Sequence, residues 1–357
     1  MSNTFGNNLK ITVFGQSHSQ AIGVVIDNFP SGIKIDIEKV NEFMVRRAPG
    51  QAFSTPRKET DAVEFVSGIN ENGYTCGAPI TALIQNTNVR SKDYENLRYV
   101  PRPSHSDYTS FLKDGEFRDI RGGGQFSGRL TAPLVIAGAL CSAFLAQKGV
   151  KIGAHLSSVG EVNDTPYDKL SMDIPQNQAD FPVVSEKAKQ QMQEKIKLVC
   201  SKQDSVGATI ECKAIGVPSG LGEPMFNGLE NKLAQIMFAI PGVKGFEVGS
   251  GFDGSKLKGS ENNDPFVIEN GKVTTKSNNA GGLLGGITVG TPIIFKVALK
   301  PTPSISKEQE SVDLRNMSNT TLTVEGRHDP CIGVRAVAVV ESCTAIALTD
   351  FLLGKGE

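Results

Sequence analysis

Cysteine is scarce in this chain and poorly spaced for holding a metal. Cys76, Cys141, Cys200, Cys212, Cys331 and Cys343 are scattered, the closest pair twelve residues apart, and no C-x-x-C or Cys/His ligand spacing occurs. A structural zinc site is therefore not expected, and the thiols read as reduced, as in a cytoplasmic protein. Net charge is nearly absent too, at −1, so no global field draws the chain to nucleic acid or to an acidic membrane. Any anion must be held by local arrangement. The opening stretch, MSNTFGNNLKITVFG, has no basic segment followed by an apolar one, so no secretory leader is expected. One uncharged run, LTAPLVIAGALCSAFLAQ (130–147), is just long enough to span a bilayer. It carries Pro133 and small residues, and it lacks the Trp and Tyr of an interfacial belt, so a buried core helix with Pro133 in its first turn is expected.

A serine hydrolase is set aside by a further absence, since no G-x-S-x-G elbow occurs. The glycine run in RGGGQFSGR (121–129) is neither a Walker A loop, for want of Lys-Ser/Thr, nor a G-x-G-x-x-G turn after a strand. Arginine is missing from 130 to 314, although lysines are plentiful there. Nine of the twelve arginines lie between Arg46 and Arg129. Arginine's planar fork suits bidentate contact with carboxylate or phosphate, so the cluster points to a ligand carrying several acidic groups.

Of the four histidines, His18 (GQSHSQ), His105 (RPSHSDYT) and His328 (GRHDPC) sit in compact polar settings, and His155 (GAHLSS) reads as structural. His18 and His105 each stand in a Gly/Ser/Pro loop, where a proton carrier is useful. Consecutive glycines let backbone N–H groups approach a phosphate or a flat ring. NNAGGLLGGITVG (278–290) is a second such region, and KPTPSIS (300–306) adds a lysine and hydroxyls. Turn chemistry alone accounts for any one of these. Together with the arginines they suggest a planar phosphorylated cofactor beside a polyanionic substrate.

Strands are expected at ITVFG and AIGVVIDNF, then as a pair at AVEFVSGI and PITALIQN, followed by VGATIECKAIGV, 243–249 and 287–299. Helices are expected within 36–50, over 130–147, 184–200 and 227–239, and in the final GVRAVAVVESCTAIALTDFLL. Mixed elements without a regular βαβ rhythm indicate an α+β fold, with two halves of similar order around apolar helices. The stretch 253–279 reads equally as a mobile loop over a site or a plain surface hairpin.

FGQSHSQAIGVVIDNFPSG, RRAPGQAFSTPRKETD, NTNVRSKDY, RPSHSDYT, RGGGQFSGR, AGGLLGG, KPTPSI and GRHDPC, in this order and nearly end to end, resemble the chorismate synthase family. The resemblance implies a single domain over 1–357, a β-α-β sandwich with helices between antiparallel sheets, and a homotetramer. It implies 1,4-anti elimination of phosphate from 5-enolpyruvylshikimate 3-phosphate, with reduced FMN required and no net redox change. Carried over by motif, His18 protonates the departing phosphate and His105 manages flavin protonation. Asp329 assists removal of the ring proton. Arg46, Arg47, Arg102, Arg129 and Arg327 hold anionic groups. Flavin contacts fall on Gln125, Phe126, Ser127, Pro241, Gly242, Gly285, Lys300, Pro301, Thr302, Pro303, Ser304 and Arg327. Residues 122–124 are expected to leave room for flavin and substrate, with the next helix aiming its positive end at them. Gln16 and Ser19 flank the first histidine motif where many members read GESHG. Gln125 and Phe126 replace an arginine and a serine, and Phe53 stands where many carry an arginine. Phe53 points to an external flavin reductant. A flavin-independent lyase and a non-catalytic binding module are the alternatives.

Overall fold

The computed structural model describes residues 3–50, 53, 61–87, 96–177, 180–324 and 328–355. Alternation with a period of two builds its first sheet. In β3 (Ala21–Asp27), Ile22, Val24 and Ile26 are buried, and in β5 (Ile80–Gln85) so are Ile80, Ala82 and Ile84. Val24 pairs with Val13 of β2 (Lys10–Gly15) on one side and with Ala82 on the other. A slip of one residue would turn this whole apolar face to water, so the register is strongly specified. β1 (Thr4–Phe5) and β4 (Glu64–Ser67) complete the antiparallel sheet in the order β1-β2-β3-β5-β4. The second antiparallel sheet has the order β7-β6-β8-β14-β9. Its strands are β6 (Lys151–Val159), β7 (Val162–Asn163), β8 (Ala208–Ile215), β9 (Val243–Val248) and β14 (Ile293–Leu299).

Helices fill the space between the sheets, as an α+β sandwich requires. Asp36 caps α1 (Ile37–Arg47) by accepting from the backbone N–H of Glu38 and Lys39 at 3.1 and 3.2 Å. Val40 and Met44, four apart, are buried on its inner face. α3 (Thr131–Gln147) and α8 (Gly333–Gly354) form the central layer and touch both each other and the strands. Gly138 lets them approach, because a Cβ there would overlap the Cα and Cβ of Ser342. α3 together with the turn before it (Gly128–Gln147), and α8, are long and apolar enough to cross a membrane, yet 67% and 83% of their apolar windows are buried within the sandwich. Near the end of α8, the Asp350 carboxylate accepts the backbone N–H groups of Asn7, Asn8 and Leu9 at 2.6–3.0 Å. These donors compensate a buried charge that the helix C-terminus would otherwise disfavour.

The remaining helices are α2 (Asp107–Asp114), α4 (Glu186–Ser201) and α5 (Leu229–Phe238), with single turns α6 (Gly251–Gly254) and α7 (Gly259–Asn262). Among the described residues, three hairpins lie outside the main sheets. They pair β10 (Phe266–Glu269) with β11 (Lys272–Thr275), β12 (Leu283–Leu284) with β13 (Ile287–Thr288), and β15 (Gln309–Asp313) with β16 (Ser318–Leu322). The single strand expected over 287–299 is thus two, β13 and β14, separated where Gly290 takes φ 90°. The stretch 253–279 forms short helical turns and the β10–β11 hairpin, and none of it lines the cavity described next.

Candidate active site

A cavity of about 710 Å³ collects side chains from the β2–β3 turn, residues 102–109, the glycine run, the α5–β9 junction, the segment after β14, and the start of α8. The β2–β3 turn is tied by Ser19, whose Oγ donates to the carbonyl oxygens of Gln16 and Ala21 and accepts from the Gln16 N–H. That turn presents Ser17 and His18 to the cavity.

Gly122, Gly123 and Gly124 all take positive φ, at 61°, 83° and 56°. A Cβ on Gly122 would overlap Ser17 Oγ and stand 2.9 Å from His18 Nε2. On Gly123 it would lie 3.3 Å from His105 Cε1, and on Gly124 it would overlap the Asp119 carbonyl oxygen. The space left by the missing side chains is therefore taken first by the chain's own histidines and backbone. Gly122 itself still lines the cavity. Gly122 thus packs beside His18 and Gly123 beside His105, and both histidines line the cavity.

Two carboxylates organise the cations here. Asp61 bridges Arg47 Nη1 at 3.2 Å and Arg129 Nη1 at 2.5 Å, and all three side chains are at most 10% exposed. Arg47 also donates to Thr131 Oγ1 and to the Gly128 carbonyl, which anchors it at the N-terminus of α3. Asp107 accepts from Arg102 Nε and Nη2 at 2.7 and 2.8 Å and stands 2.7 Å from His105 Nδ1. Burial pushes the Asp107 carboxyl up, but its bonds to Arg102 and His105 more than offset this and hold it well below the usual carboxylate range. Arg102 Nη1 reaches Ser304 Oγ at 3.0 Å, linking this group to the segment after β14. Lys300 donates to the Ser104 carbonyl, and burial followed by the neighbouring Lys244 lowers its pKa. Arg335, in the first turn of α8, pairs with Asp329 at 2.6 Å.

Among the described residues the lining holds six cationic side chains, Arg47, Arg102, Arg129, Lys244, Lys300 and Arg335, against the carboxylates of Asp61 and Asp329. With Asp107 counted against Arg102 just behind the lining, an excess of three positive charges in a concave space selects a polyanion. Phe126, Phe238, Ile240 and Pro241 give the same cavity an apolar side suited to a flat ring. Among the described residues, no cluster of His, Cys, Asp and Glu is arranged to hold a metal ion.

Of the residues expected from sequence, the cavity brings together His18, His105, Asp329, Arg47, Arg102 and Arg129. It also gathers Gln125, Phe126, Ser127, Pro241, Gly242, Lys300, Pro301, Thr302, Pro303 and Ser304. Arg46 is not brought there; it pairs with Glu341 at 2.7 Å, with its guanidinium over the Phe43 ring. Gly285 is also absent from the lining and sits in the β12–β13 turn. Arg327 lies outside the described residues. Asp61, Asp107, Lys244 and Arg335 were not anticipated. Asp107 had a local signal, two residues after His105; Asp61 closes the RRAPGQAFSTPRKETD motif, but its arginine partners lie 14 and 68 residues away. Gly249-Ser250-Gly251-Phe252-Asp253-Gly254 does have G-x-G-x-x-G spacing after β9, but only the four-residue α6 follows, too short for a dinucleotide turn.

The family profile described as chorismate synthase matches residues 9–353. The chain belongs to the chorismate synthase family. A chorismate synthase of Dehalococcoides mccartyi is 46% identical over 359 residues, covering 100% of this chain and 98% of the relative. One from Archaeoglobus fulgidus is 43% identical, with 99% and 98% covered, and one from Lancefieldella parvula is 41% identical, with 99% and 96% covered. A crystal structure of a chorismate synthase superposes with a TM-score of 0.71 at 25% identity, over 98% of this chain and 93% of that one. Chorismate synthase family membership thus extends over both sheets and the central helices together.

Proposed function

We propose that the chain converts 5-enolpyruvylshikimate 3-phosphate to chorismate by 1,4-anti elimination of phosphate, with reduced FMN bound. The observation that carries this reading is the approach of His18 to Gly122 and of His105 to Gly123 in one glycine run, in a cavity with an excess of three positive charges. The substrate's two carboxylates and phosphate match that excess. Leaving phosphate gains negative charge as its bond breaks, and preset cations stabilise such charge without reorganising. His18 holds the proton for the phosphate, His105 maintains the protonation of the flavin, and Asp329 assists removal of the ring proton.

The lining fits a flavin nucleotide. Thr302 Oγ1 and Arg335 Nε are buried there without a hydrogen-bond partner among the described residues, and the apolar side faces the same space. Gln125, Phe126, Ser127, Pro241, Gly242 and Lys300 through Ser304 would hold it. When bound, reduced FMN supplies electron density to the reacting ring without net oxidation or reduction. Phe53 packs on Phe181 with ring centroids 5.9 Å apart and adds no cation to the cavity, which supports reduction of the flavin by an external reductant. The same reading carries a homotetramer working in the cytoplasm.

The test is an anaerobic assay with chemically reduced FMN and 5-enolpyruvylshikimate 3-phosphate, following chorismate and phosphate together. Equal release of both, only with reduced flavin, is the expected outcome. Binding of flavin and substrate without either product refutes the reading.

A further inference from the structure

We propose that Asp107 is a positioning residue that sets the tautomer of His105, keeping the proton on Nδ1 and leaving Nε2 bare toward the cavity. Asp107 Oδ1 stands 2.7 Å from His105 Nδ1 and 2.8 Å from Arg102 Nη2, and Oδ2 accepts from Arg102 Nε at 2.7 Å and the Arg102 N–H at 3.1 Å. A carboxylate offers about four lone-pair sites, so each of these contacts requires a donor. A bare Nδ1 at that distance would set lone pair against lone pair. Arg102 Nη2 lies 3.2 Å and Ser106 Oγ 3.4 Å from Nδ1, both longer contacts than the 2.7 Å one to Oδ1, which sets the stronger demand on Nδ1. The proton therefore belongs on Nδ1. Asp107 does not line the cavity whereas His105 does, so the Nδ1 edge is turned away from it. Nε2 lies on the other edge of the ring, 3.6 Å from where a Gly123 Cβ would stand.

Asp107→Asn makes a directional test. With its amide nitrogen toward His105, the side chain loses the bond from Arg102 Nη2 but still accepts from Arg102 Nε and the Arg102 N–H, and it donates to Nδ1, which moves the ring proton to Nε2. The opposite flip would face the amide NH2 against both of those donors. Four histidines make ring-15N labelling of the full chain tractable, with His105 assigned by loss of its signals in His105→Gln. On the neutral ring, long-range 15N–1H correlations are expected to show Nδ1–H in wild type, Nε2–H in Asp107→Asn, and Nδ1–H again in Asp107→Glu. This inference rests on the proposed elimination for its kinetic consequence: kcat for Asp107→Asn falls about 100-fold with KM changed less than about threefold. A wild-type ring bare at Nδ1 overturns the proposal, as does a folded Asp107→Asn protein with an unchanged tautomer. If the variants do not fold, the wild-type spectrum alone decides. If wild type shows no elimination, the functional reading fails while the tautomer result stands.

Discussion

Gly122→Ala and Gly123→Ala separate two costs that glycine runs usually confound. Both residues have positive φ, 61° and 83°, so alanine at either position meets a backbone penalty of about 1–2 kcal/mol. That is small beside a total stability of about 5–15 kcal/mol, and in a chain of this size it lowers the Tm by roughly 1–3 °C. The side-chain cost differs. At Gly123 the new methyl would stand 3.3 Å from His105 Cε1, which a slight adjustment absorbs. At Gly122 it would overlap Ser17 Oγ and lie 2.9 Å from both Cδ2 and Nε2 of His18, so the imidazole must withdraw by about half an ångström or more. Misplacing a reacting group by about 1 Å costs about 100-fold in rate. Gly122→Ala is therefore expected to lose about 30- to 100-fold in kcat, and Gly123→Ala less than about fivefold, with similar losses in Tm. The comparison needs one steady-state elimination assay and one thermal melt per variant. Equal kcat in the two variants refutes the idea that Gly122 exists to seat His18.

Asp61→Asn leaves buried Arg47 and its neighbour Arg129 without their shared carboxylate, and a loss of about 3–5 kcal/mol in denaturant unfolding is expected, partly recovered by added phosphate. His155 is buried between Asp164 and Glu211 at 2.9 and 3.1 Å; burial lowers its pKa, but the two carboxylates raise it above 6.5 overall. Its folded pKa exceeds the unfolded one, so the stabilisation is complete below pH 6.5 and disappears as pH rises through the folded value. His155→Gln should flatten that alkaline decline in a series of melts, and an unchanged decline would refute the assignment. Cys76 and Cys200 are exposed, whereas burial pushes the thiols of Cys141 and Cys343 up to about 12 and that of Cys331 up to about 11. Burial raises the Cys212 thiol as well. A thiol reagent should therefore titrate two groups in the native protein and six after denaturation.

The elements most legible in the sequence were those with a local period. β3 and β5 alternate, α1 repeats its apolar residues at three and four, and α3 and α8 stand out as uncharged runs. β6 was hidden because its central residue is His155, whose two acidic partners lie nine and 56 residues away. The β15–β16 hairpin is mostly polar and exposed, so burial leaves little pattern on it. In the cavity, scarce residue types pointed to the histidines and arginines. Of the acids that orient them, Asp107 stood two residues from His105, but aspartate is common and only the folded chain brings Asp61 between two arginines. Arg46 shows the converse, a member of the arginine cluster that serves to neutralise buried Glu341.

The place of α8 in the chain has a consequence for synthesis. It packs against α1, α3, α5, β6 and β8, all of which precede it, and its Asp350 captures backbone groups 341 to 343 residues upstream. At ~5–20 residues per second, a ribosome takes roughly 20–60 s to reach it. β14 completes the second sheet only 34 residues before α8 begins, so for roughly 2–7 s both sheets can be paired while their inner faces still lack that helix. Native structure arrives late and all at once, so chains truncated ahead of Gly333 should accumulate as aggregates rather than as shortened, active protein.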